Sequence, residues 1–231
     1  MALQNITKSF GPIRALDEVS LTVARGETLA VFGPNGAGKT TLLKIAATLI
    51  RPNSGRVLLF GDDPLRRPAL RALIGFVSHH SYLYPGLTAR ENLLFAARLY
   101  GRRDAPARAA ALLDAVGLTG RADDLVRTFS RGMTQRLSIA RALVHDPPIL
   151  LLDEPYTGLD RAAAGAFTAL LRAMRGSRTV VLTTHSIEQG VALADRVVIL
   201  VDGAVAYEAA NGAQDAVAVE RAYAACVGAP A

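Results

Sequence analysis

The hydrophobic positions of the chain are grouped in short runs, and helical patterns lie between them. Runs that are apolar almost throughout are typical of strands buried on both faces of a parallel sheet. Such runs occupy residues 27–32, 149–152, 179–184 and 196–201. The pattern therefore predicts an α/β core with a mainly parallel sheet.

The N-terminal part of the chain has a different pattern. Short segments at 3–8, 19–23 and 55–60 are bounded by Gly, Pro and Asp, which predicts an antiparallel β layer beside the core. Asp202-Gly203 follows the last apolar run and predicts a hairpin turn. Only a short tail remains after that turn.

Residues 81–146 have a helical pattern. Thr88 and Glu91 have the spacing of a capping box, which predicts a helix as far as Tyr100, and residues 107–116 predict another. The core strands resume directly after Pro147 and Pro148, which predicts an inserted helical subdomain. We therefore expect one domain over 1–231, with its core at 1–80 and 147–208, the helical subdomain at 81–146 and a tail at 209–231.

Composition narrows the class of protein. The 231 residues are 51% hydrophobic, enough for one sizeable core. No run reaches the roughly 18 apolar residues that span a bilayer, and the N-terminal residues lack a signal-peptide pattern. A membrane path, if the protein serves transport, is therefore expected in another subunit. Cys226 is the one cysteine, which excludes an internal disulfide, fits a reducing cytosol and is interpreted as an apolar helix residue.

The net charge of +6 does not predict binding to nucleic acid. The chain has 23 arginines and three lysines, but they are spread along it and form no basic patch interleaved with aromatic residues. We expect solvated surface charges instead, and no nucleic-acid partner.

The segment 33–40 has the spacing of a phosphate-binding loop, and it lies between an apolar strand ending at Phe32 and a helical run over 41–49. Glycines let successive N–H groups curl around phosphate oxygens, and the helix N-terminus adds a favourable dipole. Lys39 is expected to reach the β- and γ-phosphates, and the Thr40 hydroxyl to hold Mg²⁺. A glycine-rich turn that matches by accident is the alternative, and the flanking elements disfavour it. The predicted ATP contacts here are Gly33, Pro34, Asn35, Gly36, Ala37, Gly38, Lys39, Thr40 and Thr41.

Two carboxylates follow the apolar run at 149–152. Asp153 is expected to hold Mg²⁺, and Glu154 to polarise the attacking water as general base. A solvated turn is the alternative, which the upstream phosphate-binding loop makes the weaker one. His185 follows the strand predicted at 179–184, so it is expected at the same edge of the sheet, where it would contact the γ-phosphate or the water. The bland interpretation of His185 is an ordinary loop residue.

With these motifs in place, the chain resembles the ATP-binding subunits of ABC transporters over nearly its whole length. The resemblance depends on motifs in the family's order: the segment 33–40, Phe129-Ser130-Arg131-Gly132-Met133, Gln135-Arg136, Ile139-Ala140-Arg141-Ala142-Leu143, Asp153-Glu154, Gly158-Leu159-Asp160 and His185. It implies that Ser130 and Gly132 contact the γ-phosphate bound to the opposite protomer, and that Asp160 communicates across the dimer. It also implies that Phe10 stacks on adenine, with an apolar strand end as the alternative. Ser130 and Gly132 precede the helical run 134–143, so a hydroxyl, N–H donors and a helix dipole would face an anion.

The chain departs from the family's pattern at two places. The usual signature is Leu-Ser-Gly-Gly-Gln, and here only Ser130 and the second glycine, Gly132, are kept. This puts the ATPase rate in doubt, but not the family. His79 occupies the position of a glutamine that links the metal and nucleotide to the helical subdomain, so we expect His79 to act beside the reacting groups.

The function implied by the resemblance is ATP hydrolysis that drives separate membrane subunits. The expected partners are a second ATP-binding subunit and integral permease subunits, on the cytoplasmic face of the bacterial inner membrane. The alternative is a soluble ABC-type ATPase acting on nucleic acid or in translation, but such relatives carry a long coiled coil or two cassettes. A P-loop kinase would leave Ser130 and Gln135-Arg136 without a role. Residues 77–80 and 129–133 look most like the cytochrome c maturation, or haem exporter, group, with drug, lipid or polysaccharide export as alternatives.

Overall fold

The computed structural model of the chain describes residues 1–78, 80–210 and 216–228. His79, and residues 211–215 and 229–231 of the predicted tail, lie outside the described residues. The α/β fold predicted from the sequence is confirmed, with a mixed central sheet, an antiparallel sheet and helices.

Six strands form the central sheet of the described chain. They follow one another across the sheet in this order: β5 (Ile74–Val77), β6 (Ile149–Asp153), β7 (Thr179–Thr183), β3 (Thr28–Phe32), β8 (Arg196–Val201) and β9 (Ala204–Ala210). The first five are parallel, and β9 pairs antiparallel with β8. The predicted hairpin joins them, because Asp202 and Gly203 both have a positive φ, 47° and 79°.

The predicted antiparallel layer is a three-stranded sheet. Its strands lie in the order β2 (Ile13–Thr22), β1 (Ala2–Phe10) and β4 (Ser54–Leu58). The predicted strand at 19–23 is the second half of β2, and its first half was missed because polar and apolar residues do not alternate regularly there.

Seven α-helices lie in the described residues: α1 (Lys39–Ala46), α2 (Ala89–Leu99), α3 (Ala105–Ala115), α4 (Arg131–Leu143), α5 (Arg161–Met174), α6 (Ile187–Leu193) and α7 (Ala216–Gly228). The capping box of Thr88 and Glu91 is present at the start of α2. Helix α1 ends before the predicted 49 because Thr48 has a φ of 61°, outside the helical region. Cys226 lies in α7 and is partly buried, as interpreted from the sequence.

Two hydrophobic clusters cover the two faces of the central sheet. Successive residues of a strand point to opposite faces, so Leu29 and Val31 pack with α1 and the antiparallel sheet. Ala30 and Phe32 pack on the other side with α2, α3 and α4. Strand β3 is thus buried on both faces, and its C-terminal end is held at a fixed place from which the next segment emerges. None of the helices in the described part of the chain is both long and apolar enough to cross a membrane.

Candidate functional site

The loop from β3 to α1 lies tightly against the backbone of two neighbouring strands. Gly33 has a φ of 150°, and a Cβ there would lie 2.1 Å from the carbonyl oxygen of Leu200. Gly38 has a φ of 97°, and a Cβ there would lie 2.3 Å from the carbonyl oxygen of Ala15. A side chain at either position would displace backbone, so these glycines are required for the loop to lie against β2 and β8.

Lys39 is buried at the first turn of α1. Its Nζ donates hydrogen bonds to the carbonyl oxygens of Gly33, at 2.6 Å, and Pro34, at 3.0 Å. Burial lowers the pKa of the Lys39 ammonium, and the nearby carboxylates of Glu154 and Asp153 act in the opposite direction. The cation is therefore held inside the loop, where it can bind a phosphate oxygen. The remaining predicted contacts of this segment, Asn35, Gly36, Ala37 and Thr41, lie along the loop and in the first turn of α1.

Asp153 ends β6 at the same edge of the sheet. Its Oδ1 accepts hydrogen bonds from the hydroxyls of Thr40, at 3.1 Å, and of Thr183, at 2.9 Å. The β6–β7 register places Asp153 directly beside Thr183. The predicted pair of Thr40 and Asp153 is thus brought together by elements that are far apart in sequence.

The oxygen donors of Thr40 and Asp153 fit Mg²⁺. Mg²⁺ prefers oxygen ligands and is usually held by one or two protein groups together with water and substrate phosphates. No cluster of three or more His, Cys, Asp or Glu side chains that could hold a metal occurs in the described residues. A hydroxyl and one carboxylate beside a phosphate-binding loop match the pattern of a nucleotide-bound magnesium ion.

Glu154 has a strained backbone and a partly buried carboxylate. Its φ is 50°, and its N–H donates to the Thr183 hydroxyl at 2.9 Å. Its Oε1 lies 3.2 Å from His185 Nε2, but the geometry is not that of a hydrogen bond, and this buried oxygen has no hydrogen-bond partner among the described residues. Burial raises the pKa of Glu154, which the charges of His185 and Lys39 partly offset. A buried carboxylate oxygen that accepts no hydrogen bond, on a carboxyl group of raised pKa, is suited to accept a proton from water.

His185 projects from the end of β7, as predicted from its position after the strand. Its side chain is 60% exposed, while the carboxylate it approaches is largely covered. The residue precedes Ser186, which caps α6. His185 is therefore open to a ligand at the same edge of the sheet as Asp153 and Glu154.

Ser130 and Gly132 are at the start of α4. Ser130 caps α4, accepting a hydrogen bond from the N–H of Met133 at 3.2 Å, so the helix begins three residues before the predicted 134. A Cβ at Gly132 would lie 2.8 Å from the carbonyl oxygen of Gly158. The chain therefore brings Gly132 to the 158–160 loop, and Asp160 caps α5 from that loop.

Phe10 is at the end of β1 and its side chain is half exposed. The ammonium of Lys8 lies over the ring, 5.1 Å from its centroid. An exposed aromatic face near the phosphate-binding loop is what stacking on a nucleotide base needs. His79 lies outside the described residues, so its position beside the site stays a prediction.

The sequence did not indicate the roles of two residues of the site. Thr183 hydrogen-bonds both to Asp153 and to the N–H of Glu154. Gln135, inside α4, donates from Nε2 to the carbonyl oxygen of Pro155 at 2.9 Å and joins α4 to the segment after Glu154. Gln135 was noted as part of a motif, but nothing in the sequence indicates its partner. Thr183 could have been found from its place at a strand end next to the predicted catalytic edge.

Comparison with known proteins identifies the family of the chain. A family profile described as ABC transporter matches residues 16–157. The daunorubicin resistance ATP-binding protein DrrA3 of Streptomyces coeruleorubidus is 42% identical over 205 residues, which are 87% of this chain and 65% of that protein. The ABC transporter ATP-binding protein NatA of Bacillus subtilis (strain 168) is 38% identical, over 86% of this chain and 82% of that protein. This chain thus spans about two thirds of DrrA3 and most of NatA.

A solved structure has a closely similar fold. It is described as a dimeric post-hydrolysis state of an ATP-binding cassette bound to ADP and Pi. It has a TM-score of 0.84 and 32% identity, over 91% of this chain and 98% of the other chain. The loop around Lys39, the acidic strand end of β6 and these similarities agree: the chain belongs to the ABC transporter family and carries its ATP-binding ATPase domain.

Proposed function

We propose that this chain hydrolyses ATP to drive conformational changes of separate membrane subunits of an ABC transporter. The observation that supports it most is the meeting of Lys39, Thr40, Asp153 and Glu154 at the C-terminal edge of one parallel sheet. This edge is where ligands bind in open α/β folds.

In the proposed reaction, each protein group has a separate task. Lys39 and the N–H groups of the loop bind and orient the phosphates, because the lysine is fixed by two carbonyls rather than free to move. Thr40 and Asp153 would hold Mg²⁺, which supplies neutralisation of phosphate charge when bound. Glu154 takes a proton from the attacking water at its unpaired Oε1. His185, open to solvent beside that oxygen, contacts the water or the γ-phosphate.

We further propose that two copies of the chain complete each site. Ser130 and Gly132 open α4, so their end of the helix attracts an anion, and on the same chain Gly132 lies against the 158–160 loop. A second copy would present its own α4 N-terminus to the γ-phosphate. The dimeric state of the similar structure supports this arrangement.

The test of this proposal is ATP-dependent dimerisation. Glu154→Gln keeps the side-chain shape and removes the base, so we expect the variant to bind ATP, to hydrolyse little and to sediment as a dimer with ATP. Adding Ser130→Arg places a bulky charge at the second chain's phosphate contact and should leave a monomer that still binds ATP. A dimer that forms without nucleotide and withstands Ser130→Arg would contradict the composite site.

The helical segment 81–146 is proposed as the subdomain that faces the permease, with the chain peripheral on the cytoplasmic face of the bacterial inner membrane. A groove of about 270 Å³ lies between this segment and the core. It is lined by aromatic rings, by Arg71 and by Arg141, and no acidic side chain lines it within the described residues. A permease helix with apolar residues and a carboxylate fits that surface.

Co-purification tests whether the chain binds a membrane partner, and the identity of that partner indicates the substrate. The wild type should bring down an integral membrane protein, and Arg141→Glu should weaken that association, while Arg98→Glu on the exposed part of α2 should not. Export of haem for cytochrome c maturation is supported only by the local patterns at 77–80 and 129–133, and a relative named for daunorubicin resistance favours drug export equally. Identification of the co-purified permease decides between them. Retention on nucleic acid at physiological salt, without a membrane partner, would contradict the transport proposal.

A further inference from the structure

Lys8 and Phe10 form a pair at the end of β1. They are two residues apart on one strand, so their side chains lie on the same face of the antiparallel sheet. The Lys8 Nζ is 5.1 Å from the centre of the Phe10 ring, within cation–π range. Lys8 forms no ion pair with any residue that the structure describes, so the ring is its main partner. In a chain with 23 arginines and three lysines, this is one of the few compact ammonium groups.

The pair is fixed next to the phosphate-binding loop. Lys8 lies opposite Leu16 in the β1–β2 ladder, and the Leu16 side chain would lie 2.8 Å from a Cβ at Gly38. Asp17, one residue further, donates its N–H to the carbonyl oxygen of Gly203, whose own N–H donates to Ala37. The hairpin that carries Phe10 is thus hydrogen-bonded through Gly203 to the loop that would hold the phosphates.

We propose that Lys8 is a positioning residue for the nucleotide base. The inference depends on the proposed contact between Phe10 and the base. With the ammonium over one face of the ring, the base stacks on the other face, and the ring is held in the bound orientation before the nucleotide arrives. A side chain that is ordered in advance loses less entropy on binding. The cation also draws ring electrons towards itself, which favours stacking of the electron-rich purine on the far face.

This role makes a prediction that a general electrostatic role does not. A lysine that only attracts phosphate charge would act equally on ATP and on inorganic tripolyphosphate, which has no base. A lysine that positions Phe10 acts on ATP alone. Lys8→Gln should therefore weaken ATP binding about two- to fivefold and leave tripolyphosphate binding unchanged. Lys8→Arg should restore ATP binding, because a guanidinium also stacks on an aromatic face.

The experiment is calorimetric titration of ATP and tripolyphosphate into the wild type, Lys8→Gln, Lys8→Arg, Phe10→Leu and the double variant Lys8→Gln/Phe10→Leu. Lys44→Gln, a lysine in the last turn of α1, is the matched control and should behave as the wild type. Once Phe10 is removed, Lys8→Gln should have no further effect. Tripolyphosphate binding also reports that each variant is folded.

The possible results distinguish the base contact of Phe10 from the positioning role of Lys8. If Phe10→Leu weakens ATP binding but Lys8→Gln does not, the positioning role is wrong and the base contact stands. If Lys8→Gln weakens ATP and tripolyphosphate equally, Lys8 acts through its charge alone and the inference is overturned. If ATP affinity is the same in the wild type, Phe10→Leu and Lys8→Gln, the base contact is wrong, and the positioning role fails with it.

Discussion

Replacing Thr183 by valine should weaken both the fold and the site, because one hydroxyl holds both carboxylate residues at the end of β6. Thr183 is completely buried, and its hydroxyl donates to Asp153 and accepts from the N–H of Glu154, both at 2.9 Å. Valine keeps the shape, so no cavity forms, but a hydrogen bond to a charged group is lost and a buried N–H is left unpaired. Each of these costs about 1–3 kcal/mol, and we expect the free energy of unfolding to fall by about 3 kcal/mol.

The assay compares Thr183→Val with Thr179→Val by urea denaturation and ATP hydrolysis. Thr179 lies on the same strand, is also buried, and its hydroxyl accepts from the N–H of Gly26 and donates to the carbonyl oxygen of Ala24, far from the nucleotide. Both variants should be less stable, and only Thr183→Val should lose hydrolysis, by about tenfold or more, because Glu154 is no longer held in place. If the two variants hydrolyse ATP at the same rate, Thr183 does not position Glu154.

Two further predictions concern charge. Lys39→Ala removes the cation that two carbonyls hold in the loop, so ATP affinity measured by titration should fall about tenfold or more; unchanged affinity would contradict the phosphate-binding role. Burial lowers the pKa of His145 from 6.5 to about 4, so between these values the unfolded chain binds more protons than the folded chain. The free energy of unfolding should therefore fall as the pH drops from 6.5 to 4, by at most about 3 kcal/mol, and the urea midpoint of His145→Phe should depend less steeply on pH in that interval than that of the wild type.

Much of the fold was predictable because strands buried on both faces leave uninterrupted apolar runs. Strand β5 was not predicted, because it has only four residues and one of them is Gly75. Glycine is needed there because a Cβ would lie 2.4 Å from the carbonyl oxygen of Ala142. Helix α5 lies between two of these apolar runs, where the sequence has a helical pattern, and it places its apolar side on the core through Phe167 and Leu171, although its bounds were not predicted.

The residues of the site were predictable where they belong to one short motif in the sequence. The phosphate-binding loop and the Asp153-Glu154 pair are each contiguous in sequence, so their spacing, the flanking apolar runs and their presence in one chain were enough to predict them. The hydrogen bonds of Thr183 depend on the register between β6 and β7, whose partners are 30 residues apart, and spacing carries no information on register. The close approach of Gly132 to Gly158 is likewise set by the packing of α4 on a later loop. Tertiary contacts of this kind require the folded chain.

Complementation between two inactive variants would show whether each ATP site combines two chains. Lys39→Ala has a defective phosphate-binding loop and an intact Ser130, and Ser130→Arg has the reverse, so neither should hydrolyse ATP alone. Only a mixed pair has a complete site, which joins the intact loop of one chain to the intact Ser130 of the other, so the mixture should regain ATPase activity, to at most about half of the wild-type value because each pair has one such site. If the mixture is no more active than the variants measured separately, each chain does not complete its partner's site and the account is wrong.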